Sequence, residues 1–175
     1  MKKILLSSAL VFLSLTNACT SDSSIPDQNQ SRSVSMPNPF TSYGSIQEAR
    51  TAFGRDFAVP SLPAGYRVAD IAVAEIQGAK LAQILYEQGT RQVLYRVTPA
   101  LDGNRDAAAT MLSGDYNRYA EHDTLHAGSS RVLVRGRDGL VFVAYWEHNG
   151  YSYCLTAQNG LPSEQVQTIV ESVTR

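Results

Sequence analysis

The chain contains the sequence LVFVAYWEHNGYSYCLTAQ between Leu140 and Gln158, and these residues give the most direct indication of the fold class. Asn149-Gly150 tolerates positive φ at both central positions of a type I′ turn. β-Branched or aromatic residues flank this dipeptide on both sides. The pattern therefore predicts a β-hairpin with strands over residues 140–147 and 151–158.

Alternation along the first strand assigns its side chains to two faces of a sheet. Trp146 is expected in the core, and Tyr145 is expected on the opposite face. The Trp146 face also contains Leu140, Phe142 and Ala144, and the Tyr145 face also contains Val141 and Val143.

The rest of the chain continues the same pattern. Further strands are predicted over residues 66–77, 80–88, 91–98, 117–127 and 130–135, with Asp138-Gly139 as another hairpin turn. Ser45-Ile46-Gln47-Glu48 has the form of a capping box and predicts a helix that runs toward Phe53 and ends at Gly54.

Two more helices complete the prediction. The segment 102–114 is rich in helix formers, with Asp102 or Asn104 as the cap and Gly114 as the terminator. A last helix starts at Ser163, and its apolar residues Val166, Ile169, Val170 and Val173 form one stripe. The predicted fold is α+β: a roughly seven-stranded antiparallel sheet of two meanders, with short helices packed on one side.

The N-terminus has the features of an export signal. Two lysines precede an apolar run over residues 4–15, which is shorter than the roughly 20 apolar residues of a spanning helix. Leu15-Thr16-Asn17-Ala18-Cys19 resembles the lipobox of bacterial lipoproteins, which implies lipidation of Cys19. The alternative is a small-residue cleavage site of a soluble secreted protein. We expect a signal peptide over residues 1–18, a lipidated N-terminus and flexible tether over 19–44, and one globular domain over 45–175.

Charge and cysteine content narrow the class of protein. The chain has 15 Lys and Arg against 16 Asp and Glu. Removal of the expected signal peptide takes away Lys2 and Lys3, which leaves thirteen basic residues against 16 acidic ones and a formal charge of about −3. No basic stripe is present in the sequence, so nucleic acid is not an expected partner. Cys154 lies in a predicted strand without a nearby cation and is expected to be a buried, inert thiol.

The sequence gives little support to catalysis, and no cofactor is expected. His122 and His126 have the spacing of a zinc helix, but in a strand they would stand roughly 13 Å apart, too far to share an ion. The carboxylates Asp115, Glu121, Asp123 and Glu147 form no motif that places any two of them in one cleft. We therefore expect neither an enzyme nor a metal site.

Aromatic residues form the remaining signal. Trp146 and several tyrosines cluster in the last hairpin, and another tyrosine follows the middle helix. One aromatic set can fill the core while another forms a partly exposed platform for a peptide, glycan or partner protein. Cross-strand stabilisation is the alternative explanation. The candidate ligand-binding residues are Tyr116, Tyr145, Tyr151 and Tyr153.

Several segments together resemble an uncharacterised bacterial domain family, found on exported lipoproteins and on the outer parts of membrane-anchored anti-sigma factors. The resemblance rests on residues 57–66, 112–117, 143–146, 149–153 and 161–173. It implies an extracytoplasmic domain and no particular catalytic residue. The sequence thus predicts a non-catalytic, membrane-anchored binding or sensing module in the cell envelope; the alternative is a carrier of an apolar ligand such as a lipid.

Overall fold

The computed structural model describes residues 38–76 and 78–175. They form one antiparallel sheet of eight strands with three short helices, an α+β architecture. The elements in chain order are β1 (Thr41–Ser42), α1 (Ile46–Phe53), β2 (Arg67–Ile76), β3 (Ala79–Gln88), β4 (Arg91–Pro99), α2 (Arg105–Ser113), β5 (Glu121–Ala127), β6 (Ser130–Arg137), β7 (Leu140–His148), β8 (Tyr151–Pro162) and α3 (Ser163–Thr174).

The strand order is β1-β2-β3-β4-β8-β7-β6-β5. Two meanders, β2 to β4 and β5 to β8, therefore join through the antiparallel pair of β4 and β8. The antiparallel α+β prediction is confirmed, and the sheet has eight strands where roughly seven were expected.

The additional strand lies in the segment that was expected to be tether. Thr41 pairs with Val73 across β1 and β2, and the backbone N–H of Tyr43 donates to the Ile71 carbonyl at 2.7 Å. The domain was expected to start at Ser45, but the chain joins the sheet a few residues earlier. The predicted signal peptide, Cys19 and the tether up to residue 37 lie outside the described residues.

The helices cover both faces of the sheet, so the prediction of helices on one side is wrong. Tyr153 and Leu155 face a core that α1 and α3 cover, whereas Cys154 between them faces α2. Helix α2 buries Ala109 and Leu112 there. The central strands are apolar on both faces, and a single layer of helices would leave one of those faces in water.

The chain path explains the position of α2. Strand β4 is central and β5 is at the edge, so the connection between them crosses β8, β7 and β6, against which α2 packs. Asn104 begins this helix, because its Oδ1 accepts from the N–H groups of Asp106 and Ala107 at 2.8 and 3.2 Å. The helix ends at Gly114, as predicted.

The main core lies under α1 and α3. Trp146 is fully buried, as predicted, and its ring stacks on Tyr153 at a centroid distance of 5.4 Å. The predicted α3 stripe faces the same core, and all four of its members are buried: Val166, Ile169, Val170 and Val173.

The strand predicted over 117–127 is shorter than expected and begins at Glu121. Local hydrogen bonds keep the preceding residues out of the sheet. The Ser113 hydroxyl accepts from the N–H of Asp115 at 3.0 Å, and the Asp115 carboxylate accepts from the N–H of Asn117 at 2.8 Å. Such side-chain bonds give the backbone an alternative to strand pairing, so this segment is a folded turn.

Within residues 38–76 and 78–175, no helix has the length and apolar character needed to cross a membrane.

Candidate ligand-binding cleft

An open cavity of about 570 Å³ lies on the α2 face of the sheet. We call it the Tyr116 cleft. Leu85, Leu94 and Thr156 on three adjacent strands form its floor, and the turn over residues 113–119 forms one wall. The other lining side chains include two arginines, three amides and a phenylalanine: Arg118, Arg137, Gln92, Asn117, Gln158 and Phe142.

The wall is fixed to the sheet by Arg96 on β4. Its Nη1 donates to the carbonyls of Leu112 and Ser113 at 3.0 and 3.2 Å, at the end of α2. A cation there satisfies carbonyls that have no partner within the helix. Tyr116 follows on this fixed turn, yet its side chain is 80% exposed. The turn thus holds a large aromatic ring in solvent at the mouth of the cleft.

Three neighbouring side chains, Tyr119, Phe142 and Arg137, also line the cleft. The rings of Tyr119 and Phe142 stack at 5.4 Å, and the guanidinium carbon of Arg137 lies 4.8 Å from the Phe142 centroid. The Tyr119 hydroxyl donates to the Asp115 carboxylate. The pKa of Tyr119 is raised to about 12, mainly by burial and to a lesser extent by this hydrogen bond. The hydroxyl therefore keeps its proton near neutral pH.

A β-bulge brings Phe142 into the cleft. On β7, Val143 pairs with Arg135 and Val141 pairs with Gly136, which leaves Phe142 without a partner on β6. The extra residue reverses the alternation beyond it. Val141 therefore joins the Trp146 core, and Phe142 leaves it for the cleft, contrary to the faces predicted from simple alternation.

Two glycines make room for this bulge. A Cβ on Gly136 would lie 2.2 Å from the Leu140 carbonyl oxygen. A Cβ on Gly160, whose φ is +70°, would lie 3.1 Å from the Phe142 ring. Both positions require glycine because the neighbouring strand or ring approaches the backbone closely.

The cleft has unbalanced positive charge. Across the described part of the chain, neither Arg118 nor Arg137 has a carboxylate within salt-bridge distance. Asp115 is the acidic lining residue, and its carboxylate is engaged by Tyr119 and by the N–H of Asn117. The guanidinium groups are therefore available to an anionic ligand group.

The structure does not bring the four candidate tyrosines together. Tyr116 lies at the cleft, whereas Tyr145 is fully buried beneath α2 with its hydroxyl bonded to Glu147 and Ser152 at 2.7 and 3.0 Å.

The other two candidate tyrosines lie on the opposite face. Tyr153 is buried against Trp146. The ring of half-buried Tyr151 lies 6.1 Å from the ring of Tyr153, centroid to centroid, and the Tyr151 hydroxyl donates to the Asp56 carbonyl at 2.9 Å. A shared aromatic platform of all four is therefore not formed.

Sequence reasoning missed Arg118, Arg137 and Phe142 as cleft residues. Phe142 was expected in the core because the bulge was not anticipated. The available signal was the pair of isolated glycines, Gly136 and Gly160, since a glycine inside a strand pattern often marks a bulge.

The remaining candidates lie apart from the cleft. His122 and His126 are exposed on β5, a strand as expected, and no group of three or more metal-ligating side chains occurs among the described residues. Cys154 is buried, as predicted, and burial raises the pKa of its thiol to about 12. Among the carboxylates, Glu147 bonds to Tyr145, and Glu121 accepts from the N–H of Gly139.

Comparison of the chain with protein-family models, with curated proteins and with solved structures found no significant match.

Proposed function

We propose that this chain is a bacterial membrane-anchored lipoprotein whose α+β domain is a non-catalytic extracytoplasmic binding module, with the Tyr116 cleft as its binding site. The observation that carries the proposal is the 80% exposure of Tyr116 on a turn that Arg96 fixes to the sheet. An apolar ring held in water adds little to the stability of the fold and becomes favourable when a ligand covers it.

The cleft also has the dimensions and chemistry of a ligand site. Its volume of about 570 Å³ lies within the range of roughly 300–1,000 Å³ that is usual for small-ligand pockets. Its lining combines a leucine floor with arginines and amides, so it suits a ligand with both an apolar surface and polar groups. Such a mixture gives orientation and specificity as well as affinity.

A carrier of an apolar ligand such as a lipid is the second candidate. The Leu85 and Leu94 floor favours it. An acyl chain in this open cleft would, however, cover Arg118 and Arg137 without giving them a polar partner, and desolvation of such groups is costly. The binding-module proposal therefore accounts for more of the lining than the carrier does.

The anchor is supported by the sequence from the apolar run over residues 4–15 to Cys19. Its test is mass spectrometry of the mature protein from bacterial membranes, with Cys19→Ser as the comparison. An acylated N-terminal Cys19 is expected, together with loss of the variant from the membrane fraction. An unmodified N-terminus on protein that stays soluble would overturn the anchor.

The binding role is tested with the mature chain on an array of bacterial glycans and on a peptide library. Tyr116→Ala is the test variant, and Met111→Ala, which removes another exposed apolar side chain that does not line the cleft, is the matched control. We expect at least one ligand whose binding is lost in Tyr116→Ala and kept in Met111→Ala. Absence of any Tyr116-dependent ligand refutes the proposal, and co-purification of a lipid that Tyr116→Ala releases favours the carrier.

A further inference from the structure

We propose that the ligand of the Tyr116 cleft is an acidic glycan, whose sugar carboxylate is bound by Arg137 and Arg118. This inference rests on the proposed binding function and specifies the chemistry of its ligand. Three features of the cleft support it: its unpaired cations, its mixed aromatic and amide lining, and the interior position of the strands beneath it.

The cations select for a negative group. The guanidinium carbon of Arg137 lies 4.8 Å from the centroid of the Phe142 ring, and this cation–π contact holds the group at the cavity. The N–H groups of a guanidinium match the geometry of a carboxylate. Arg118 lines the same cavity, so both arginines border the space that a ligand would occupy.

The aromatic and amide side chains suit a sugar. Pyranose rings have one apolar face, and the exposed ring of Tyr116 offers a surface on which such a face can stack. Amide groups both donate and accept hydrogen bonds, as sugar hydroxyls do, and Asn117 and Gln158 line the cavity. An aliphatic anion would use the arginines and make no hydrogen bond to these amides.

The strands below the cleft favour a glycan over an extended peptide. Strands β3, β4, β8 and β7 are interior strands with a neighbouring strand on each side, so they offer no sheet edge to which a peptide could add as another strand. In the wall, the N–H groups of Asp115 and Asn117 are already bonded to side chains. The lining therefore favours recognition mainly through side chains, as in the binding of a glycan.

The test uses the mature chain and a panel of carboxylated oligosaccharides, each beside its carboxyl-reduced, neutral form. The panel contains oligomers of glucuronic, galacturonic and mannuronic acid and sialylated oligosaccharides. Arg137→Gln is the test variant, and Arg131→Gln, an exposed arginine earlier on the same strand that does not line the cavity, is the matched control. Denaturation curves establish that both variants fold.

We expect at least one acidic member to bind, and its carboxyl-reduced form to bind at least about tenfold more weakly, since each charge-assisted contact contributes on that order. Arg137→Gln should weaken binding by a similar factor and Arg131→Gln should not. Raising the salt concentration should weaken binding of the acidic oligosaccharide and leave binding of its carboxyl-reduced form unchanged.

Two outcomes overturn the inference in different ways. A neutral glycan or a peptide that binds in a Tyr116-dependent manner, with no acidic preference, refutes the acidic glycan and leaves the binding module standing. Failure of every glycan and peptide to bind in a Tyr116-dependent manner refutes both proposals.

Discussion

Gly136→Ala is the substitution that most directly tests the bulge on which the cleft depends. Gly136 is buried at the end of β6, and an added Cβ would lie 2.2 Å from the Leu140 carbonyl oxygen. Contacts below 3.0 Å are essentially never seen for real Cβ atoms. Because the opposing atom belongs to the backbone, no side-chain rotation relieves the overlap, and β7 must move away from β6.

The expected cost follows from two contributions. Overpacking of this kind costs roughly 1–3 kcal/mol, and separation of the two strands weakens a ladder hydrogen bond that contributes about 1 kcal/mol. We expect a loss of about 3 kcal/mol in the free energy of unfolding. For a folded domain of this size this corresponds to a fall in Tm of roughly 10 °C.

Gly139→Ala in the adjoining turn is the control. Its φ is +72° and a Cβ there meets nothing within 4 Å, so the substitution introduces backbone strain without overlap. That strain costs about 1–2 kcal/mol. Urea denaturation of both variants gives the comparison, and a chemical shift change at Phe142 and Tyr119 in Gly136→Ala reports the displaced bulge. If Gly136→Ala is no less stable than Gly139→Ala, the inferred close approach of Gly136 to the Leu140 carbonyl oxygen is refuted.

Three further predictions concern the wall of the cleft and the core beneath it. Arg96→Met should lower the free energy of unfolding by about 2 kcal/mol, since two carbonyls at the end of α2 lose a charged donor; unchanged hydrogen exchange in α2 would contradict this. Tyr116→Ala should change stability by less than about 0.5 kcal/mol in urea denaturation, because the side chain is 80% exposed. Burial raises the pKa of Cys154 from 9.0 to about 12, so the folded protein retains a proton that the unfolded chain releases, and stability should fall as pH rises between these values. Urea midpoints across this range measure the fall, and Cys154→Ala should reduce it.

Local patterns in the sequence were sufficient to predict most of the fold. The Asn149-Gly150 turn gave the last hairpin with its flanking strands, and Asn149 has a positive φ of 48°, as that turn requires. The apolar stripe of α3 and the cap at Asn104 are also local signals, and both helices form where they were expected. Each of these features depends on residues that are neighbours in the chain.

The errors concern features that depend on distant residues. Simple alternation places Phe142 in the core, but the bulge exists because of how β7 meets both β6 and β8, and no short window of sequence shows that pairing. The two residues of β1 are polar and lie in a polar segment, and they become a strand only because the edge of β2 is available. Tyr145 could be placed on its face but not assigned as buried, because α2 covers it from a distant part of the chain.

The position of the cleft follows from the sheet topology. Because the chain passes from central β4 to edge β5, α2 packs mainly against β8, β7 and β6 on its face of the sheet. Among the residues that the structure describes, no helix covers the half of that face around Leu85 and Leu94, and both leucines are half-buried. The turn after α2 borders this uncovered half, which is why Tyr116 and Arg118 stand beside it. A ligand that covers the two leucines would complete the layer that α2 begins, so binding at the cleft should raise the free energy of unfolding with the logarithm of the ligand concentration relative to its Kd.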